Sequence, residues 1–191
     1  MRLLSNQYSE IRSQTELLCE NLTVEDYIPQ SGIFTSPPKW HLAHTTWFFE
    51  QFILVMFDPD YKVFDQHFHY LFNSYYLTKG QMHPRDQRGH LSRPTVEQVI
   101  AYREHVDRHM HVLINNGIDS ELQHLIELGS HHEQQHQELM LTDIKHVFSI
   151  SPLKPALIDT ESQASQTPLP ALHYLTMAGG MKEIGYSSAS F

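Results

Sequence analysis

The sequence predicts an all-α protein, a four-helix bundle with a long crossover between helices 2 and 3 and an irregular carboxy-terminal tail. Three observations carry this. Apolar residues recur three or four apart in successive stretches, the spacing of one helix face. Helix starts and stops punctuate those stretches: Ser36-Pro37-Pro38, the Thr95/Gln98 pair and Asn116-Gly117. The connection from Asp58 to Pro94 is too long for an ordinary loop, and in a bundle such a crossover lets consecutive helices lie parallel.

The first helix is expected over 3–22, where Leu4, Tyr8, Ile11, Leu18 and Leu22 form one face. Pro29 and Gly32 mark 23–35 as a connection. Ser36 offers a capping hydroxyl, and the prolines after it lose nothing by lacking amide protons in a first turn. That second helix should run to about Phe57, with Trp40, His44, Trp47 and Gln51 in one stripe. Asp58-Pro59-Asp60 ends it.

In the third helix, Thr95 and Gln98 are spaced as a capping box, Val99, Tyr102, Val106, Met110 and Leu113 form the buried stripe, and Gly117 supplies the left-handed stop. The fourth runs from Ser120 to about Phe148, with Gly129 as a bend or weak point. Residues 1–150 thus form a helical domain. The segment 151–173, rich in Pro, Ser, Gln and Thr, reads as a linker, and 174–191 regains some structured pattern.

Composition narrows the function. A formal charge of -9 disfavours an electrostatic grip on nucleic acid or an anionic membrane, and points to small molecules or protein partners. The single cysteine, Cys19, allows no intrachain disulfide and reads as a small packed hydrophobe. The start Met1 to Gln7 lacks the apolar core of a signal peptide. The most apolar run, Trp47 to Phe57, is too short to cross a bilayer, so a cytoplasmic protein is expected.

The chemistry concentrates in His131-His132-Glu133-Gln134-Gln135-His136-Gln137-Glu138. His132 and His136 are four apart, so on a helix they share a face about one turn from each other and can grip one ion. Leu139, Met140, Ile144 and Val147 continue an apolar stripe near that face, which turns the imidazoles inward. The third ligand is assigned to His44, on the aromatic stripe of the second helix. Among the other histidines, His105, His109 and His111 are read as surface or packing residues, His124, His131 and His146 have no strong claim as ligands, and His41 is expected to be dispensable for metal binding.

His132-Glu133-Gln134-Gln135-His136 also satisfies the His-Glu-x-x-His pattern of zinc proteases, with Glu133 as base. Against that, no strand precedes the motif, and no good third ligand is expected downstream on an ordered helix, since Glu161 falls in the linker.

Taken together, Ser36 to His44, Phe72-Asn73-Ser74-Tyr75-Tyr76, Arg85 to Arg88 and His132 to Leu139 resemble the amino-terminal DinB-like domain of the ergothioneine-biosynthesis sulfoxide synthases (EgtB type), over about residues 5–158. The order and spacing of the motifs carry the resemblance. It implies a DinB-like four-helix bundle holding non-haem iron(II) through His44, His132 and His136. Enzymes of that family use dioxygen to join the thiol of γ-glutamylcysteine or cysteine to the imidazole carbon of Nα-trimethylhistidine.

By the same resemblance Arg85 and Arg88 bind carboxylates of the thiol substrate, and Gln135 sits beside the substrate imidazole. The arginine fork suits a carboxylate, although from the residues alone a solvated loop pair is the favoured reading. Family members continue into a formylglycine-generating-enzyme-like domain that supplies a catalytic tyrosine. Met177 to Tyr186 resembles its opening strands, so the resemblance implies a truncated module, with no catalytic residue of its own assigned. It would be completed by a partner chain or by self-association. The competing expectations are a DinB-like module that binds metal without catalysis, and a DinB-like metal-dependent thiol transferase, which would lack the arginine pair.

Overall fold

The computed structural model describes residues 2–158 and 170–185. Six α-helices are present and, among the described residues, no strand: α1 Arg2–Leu17, α2 Pro38–Phe49, α3 Val55–Phe57, α4 Phe68–Leu71, α5 Val96–Asn115 and α6 Ser120–Ile150. A π-helical turn, Glu50–Leu54, joins α2 to α3 without a break, so the second long helix ends at Phe57 as its spacing predicts. Four long helices remain once α2 and α3 are counted together.

The second long helix is the centre of the bundle. Every residue of α2 is buried, and it packs against both α5 and α6, while α1 closes the other side against the same two helices. A helix buried all round explains the density of aromatic residues, which supply large apolar area on every side. At the π turn the fully buried Glu50 accepts from the hydroxyls of Tyr102 and Tyr61, both at 2.7 Å. The Phe64 amide and Gln51 Nε2 donate to it as well, so the buried carboxylate is solvated by neutral protein dipoles.

Several local expectations are corrected. The first helix stops at Leu17, five residues before Leu22, because the chain tightens into short-range turns that tuck Cys19 into the core, 3.5 Å from Met140 Sδ. Ser36 is not a helix cap. The capping position falls on Pro37, and the Ser36 hydroxyl instead accepts from Arg88 Nη1 at 2.8 Å. Helix α6 runs unbroken through Gly129, whose role is close approach: a Cβ there would lie 2.6 Å from Phe49 Cε1.

Gly129→Ala therefore forces the Phe49 ring to move. We expect a loss of about 1–3 kcal/mol of unfolding free energy, the usual range for overpacking a well-filled core. Urea denaturation checks this, and an unchanged midpoint would contradict the packing role.

The third helix follows its prediction closely. Gln98 N donates to Thr95 Oγ1 and Thr95 N to Gln98 Oε1, the reciprocal capping box, and Gly117 takes φ +101 after the last turn. Its buried face holds Val99, Tyr102, Val106 and Met110, with Ile114 fully buried where Leu113 was expected. The crossover is structured: besides α4 it holds 3-10 turns at Leu77–Lys79 and Arg85–His90.

The chain divides into two units, Met1–Asp159 and Thr160–Phe191. In the second unit, the described residues 170–185 form no helix or strand and expose Leu172, Tyr174, Leu175 and Met177. Residues 159–169 of the expected linker, Glu161 among them, and 186–191 of the expected second-domain start lie outside the described residues. No described helix is long and apolar enough to cross a membrane.

Candidate metal centre

Helix α6 presents His132 and His136 one turn apart, and α2 presents His44 opposite them. One ring nitrogen from each lies within 4.8 Å of the others. Each ring is held differently. The His44 Nδ1 donates to the Phe72 carbonyl at 2.7 Å, which leaves Nε2 as its ligand atom. Trp40 and Trp47, four residues before and three after, stack on the His44 ring at 13° and 14° and fix its plane. His136 Nδ1 lies 2.9 Å from His41 Nδ1, and His132 Nδ1 is buried with no hydrogen-bond partner among the described residues.

The electrostatics suit a cation. Burial is the main cause that pushes all three imidazoles below their ordinary pKa, His44 well below it and His132 to about 4; neighbouring imidazoles push His44 and His136 further. All three are therefore neutral at physiological pH, the form that ligates. Three neutral imidazoles without a carboxylate favour a borderline transition metal over calcium or magnesium. A buried nitrogen that finds no protein partner fits the same reading.

The shifts have a signed consequence for the metal-free protein. The unfolded chain binds protons at these histidines near pH 6.5, and the folded chain resists them to lower pH, so the unfolded state holds more protons in between. Stability should be complete above pH 6.5 and fall as pH drops toward 4. We expect the thermal midpoint of metal-free protein to decline between pH 7 and 5, before most carboxylates titrate, and saturating metal to reduce that decline. A flat midpoint over this interval would contradict the buried, neutral state of the three rings.

A cavity of about 430 Å³ opens onto the three histidines, and Arg85, Arg88 and Gln135 line it too. Arg88 is buried, its guanidinium carbon 3.3 Å from the centre of the Trp40 ring system. Its Nη1 and Nη2 donate to the hydroxyls of Ser36 and Ser74, each at 2.8 Å, while Nε is buried without a partner. Among the described residues no carboxylate lies within salt-bridge distance of it. Burial, then the nearby Arg85, lowers its pKa to about 9. A buried guanidinium whose hydrogen bonds all go to neutral groups, with Asp143 acting only from beyond contact distance, is under-compensated, and an anionic ligand would meet that charge.

Arg85 is exposed and donates to the Tyr75 hydroxyl at 3.2 Å and to the Phe34 carbonyl. Tyr75 has φ +62, a conformation that costs a non-glycine residue energy and here accompanies the turn that brings Ser74, Tyr75 and Tyr76 to the cavity. Gln135 is exposed at the cavity edge, one position before His136.

Glu133 faces away from the histidines. Its Oε2 accepts from Arg12 Nη1 at 2.8 Å, and its Oε1 from Thr15 Oγ1 at 2.7 Å and Arg103 Nη2 at 3.0 Å. A carboxylate engaged in this way is unavailable as the base of a zinc protease, so the His-Glu-x-x-His pattern here serves the core. Trp40, Ser36, Ser74, His41 and Asp143 also line the cavity, a site role that the sequence analysis did not assign to them. Asp143, two turns beyond His136 on the same face, was legible from spacing alone.

The description of the DinB superfamily matches residues 7–140, a span that runs from α1 to just past His136. The chain belongs to the DinB superfamily. The all-helical architecture agrees with that DinB-like fold, and all three histidines fall inside the matched span. No curated protein matches the chain.

Proposed function

We propose that this DinB-like chain is the iron(II)-binding module of a dioxygen-dependent sulfoxide synthase. That enzyme would join the thiol of γ-glutamylcysteine or cysteine to Nα-trimethylhistidine. The single observation that carries the reading is that one cavity holds both the three-histidine cluster and a buried arginine with no carboxylate partner. A metal-dependent oxidative coupling of a thiol would use the first feature, and a carboxylate-bearing substrate accounts for the second.

His44, His132 and His136 would hold the metal. Iron(II) held there would supply one-electron chemistry with dioxygen. Arg88 would bind a substrate carboxylate at the base of the cavity, backed by Trp40 and held by Ser36 and Ser74, with Arg85 at the rim as its second contact. Gln135 would lie beside the substrate imidazole. The rim side chains Phe34, Tyr75 and Leu139 are exposed and largely apolar. A second protein surface, from a carboxy-terminal domain or a partner chain, would close that rim, exclude water and contribute the proton donor.

The test uses iron(II)-loaded full chain, mixed with the thiol, Nα-trimethylhistidine, dioxygen and a separately produced carboxy-terminal domain, with mass spectrometry for the sulfoxide. Product is expected with one of the two thiols. Its absence with both, from protein shown to hold iron, would contradict the assignment. Arg88→Met should weaken thiol binding roughly 10- to 100-fold, as expected for loss of a charge-assisted hydrogen bond worth about 1.5–3 kcal/mol, and leave metal stoichiometry unchanged. Calorimetry of thiol binding checks this, and equal loss of metal would move Arg88 from binding to structure.

A further inference from the structure

A line of three side chains runs from the metal centre into the bundle: His136 Nδ1 lies 2.9 Å from His41 Nδ1, and His41 Nε2 lies 3.0 Å from Asp143 Oδ2. We infer that His41 and Asp143 are positioning residues that fix His136 in the Nδ1-protonated tautomer and so present its Nε2 lone pair to the cavity. The inference rests on the metal-binding reading of the cavity for its purpose, and the proton arrangement follows from the two contacts with His41 neutral.

An ionised carboxylate only accepts, so His41 Nε2 must carry a proton and donate it to Asp143. His41 is 3% exposed and meets one carboxylate oxygen, and a ring buried this deeply favours its neutral form. A neutral imidazole protonated at Nε2 has a bare, accepting Nδ1. The only donor that can fill a 2.9 Å contact with that nitrogen is the Nδ1 proton of His136. Given the carboxylate at one end, the other end has a single allowed state, and in that state Nε2 of His136 is free to ligate.

Direct carboxylate–histidine pairing behind a ligand is the common form of such support. Here a second imidazole is inserted because Asp143 serves another client. The same Oδ2 accepts the backbone amide of Ser36 at 2.8 Å, and the Ser36 hydroxyl holds Arg88 at 2.8 Å. One carboxylate thus anchors both the ligand histidine and the arginine.

The test reads tautomers first. In metal-free full chain at neutral pH, long-range nitrogen–proton correlation spectra of the imidazoles should show His136 protonated at Nδ1 and His41 at Nε2. Cobalt(II) is then titrated into the wild type, Asp143→Ala and Asp143→Asn, with visible absorption as the readout. Asp143→Ala removes the acceptor, should mix the His136 tautomers and should weaken cobalt binding about 10- to 100-fold. Asp143→Asn keeps an acceptor oxygen and should restore most of the affinity, a rescue that a merely structural role would not produce.

A wild-type His136 protonated at Nε2 overturns the inference, as does Asp143→Ala with unchanged tautomers and affinity. If Asp143→Ala does not fold, the wild-type tautomer decides. Correct tautomers in a wild type that binds no cobalt would support the relay and defeat the metal reading instead, so the two failures are distinguishable.

Discussion

Replacing Glu133 with Ala should destabilise the protein by on the order of 3–5 kcal/mol, the usual cost of removing one partner from a buried ion pair. Glu133 is fully buried, and Arg12 and Arg103 beside it are 3% and 0% exposed. Burial alone would raise the Glu133 pKa. The two guanidiniums outweigh it and hold the carboxyl at about 2, so the group is charged at every working pH.

The network ties four helices together. Arg12 and Thr15 belong to α1, Arg103 to α5 and Glu133 to α6, while Arg12 Nη2 also donates to Thr46 of α2 at 2.9 Å. Without the carboxylate, Arg103 keeps only the half-exposed Glu16 as an ionic partner and Arg12 keeps Asp107. Against a total stability of typically 5–15 kcal/mol, a loss of this size leaves a large unfolded fraction. Urea or thermal denaturation of Glu133→Ala gives the value. A loss below about 1 kcal/mol would show that water or rearranged partners compensate both arginines, and the clamp would lose its significance.

The second large effect concerns the metal. His44→Ala, His132→Ala and His136→Ala should each reduce bound iron(II) from near one per chain to near none, while His131→Ala leaves it intact. Three ligands are the fewest that hold a transition metal tightly in such a pocket, and losing one removes a bond and opens the site to water. His41→Ala should fall between these groups, with weakened binding. The sequence treats His41 as dispensable. Its contact with His136 is what changes the expectation. Equal losses at all five positions, read by metal analysis on folded protein, would refute the ligand set.

These two predictions separate what was legible in the sequence from what was not. The helices of the bundle follow from local signals: the Thr95/Gln98 box, Gly117, Pro37-Pro38 and three-to-four-residue apolar spacing all act within a turn or two of chain. The three histidines were found because two share a helix face and the third lies in an aromatic stripe. The role of Glu133 was illegible, since its partners Arg12 and Arg103 are 121 and 30 residues away in sequence and only packing brings them together. Ser36 was misread because local propensity favours a cap, while the distant Arg88 claims its hydroxyl. Gly129 was read as weakness because a glycine in a helix lowers propensity, whereas here it makes room for Phe49.

The arginines divide along the same line. Residue type and loop position describe Arg85 well, as an exposed rim residue, but give no hint that Arg88, three residues on, is buried against Trp40. Burial of a charge is a property of the fold, and an under-compensated one is what turns a loop arginine into an anion-binding candidate.

The central claim is that His44, His132 and His136 form one transition-metal site. The most direct measurement is anaerobic titration of the purified, metal-free full chain with iron(II), followed by desalting and metal analysis. Near one iron per chain, retained through desalting, is the result this account predicts. Iron bound only weakly, or in non-integral amounts that His132→Ala and His136→Ala retain equally, would contradict it.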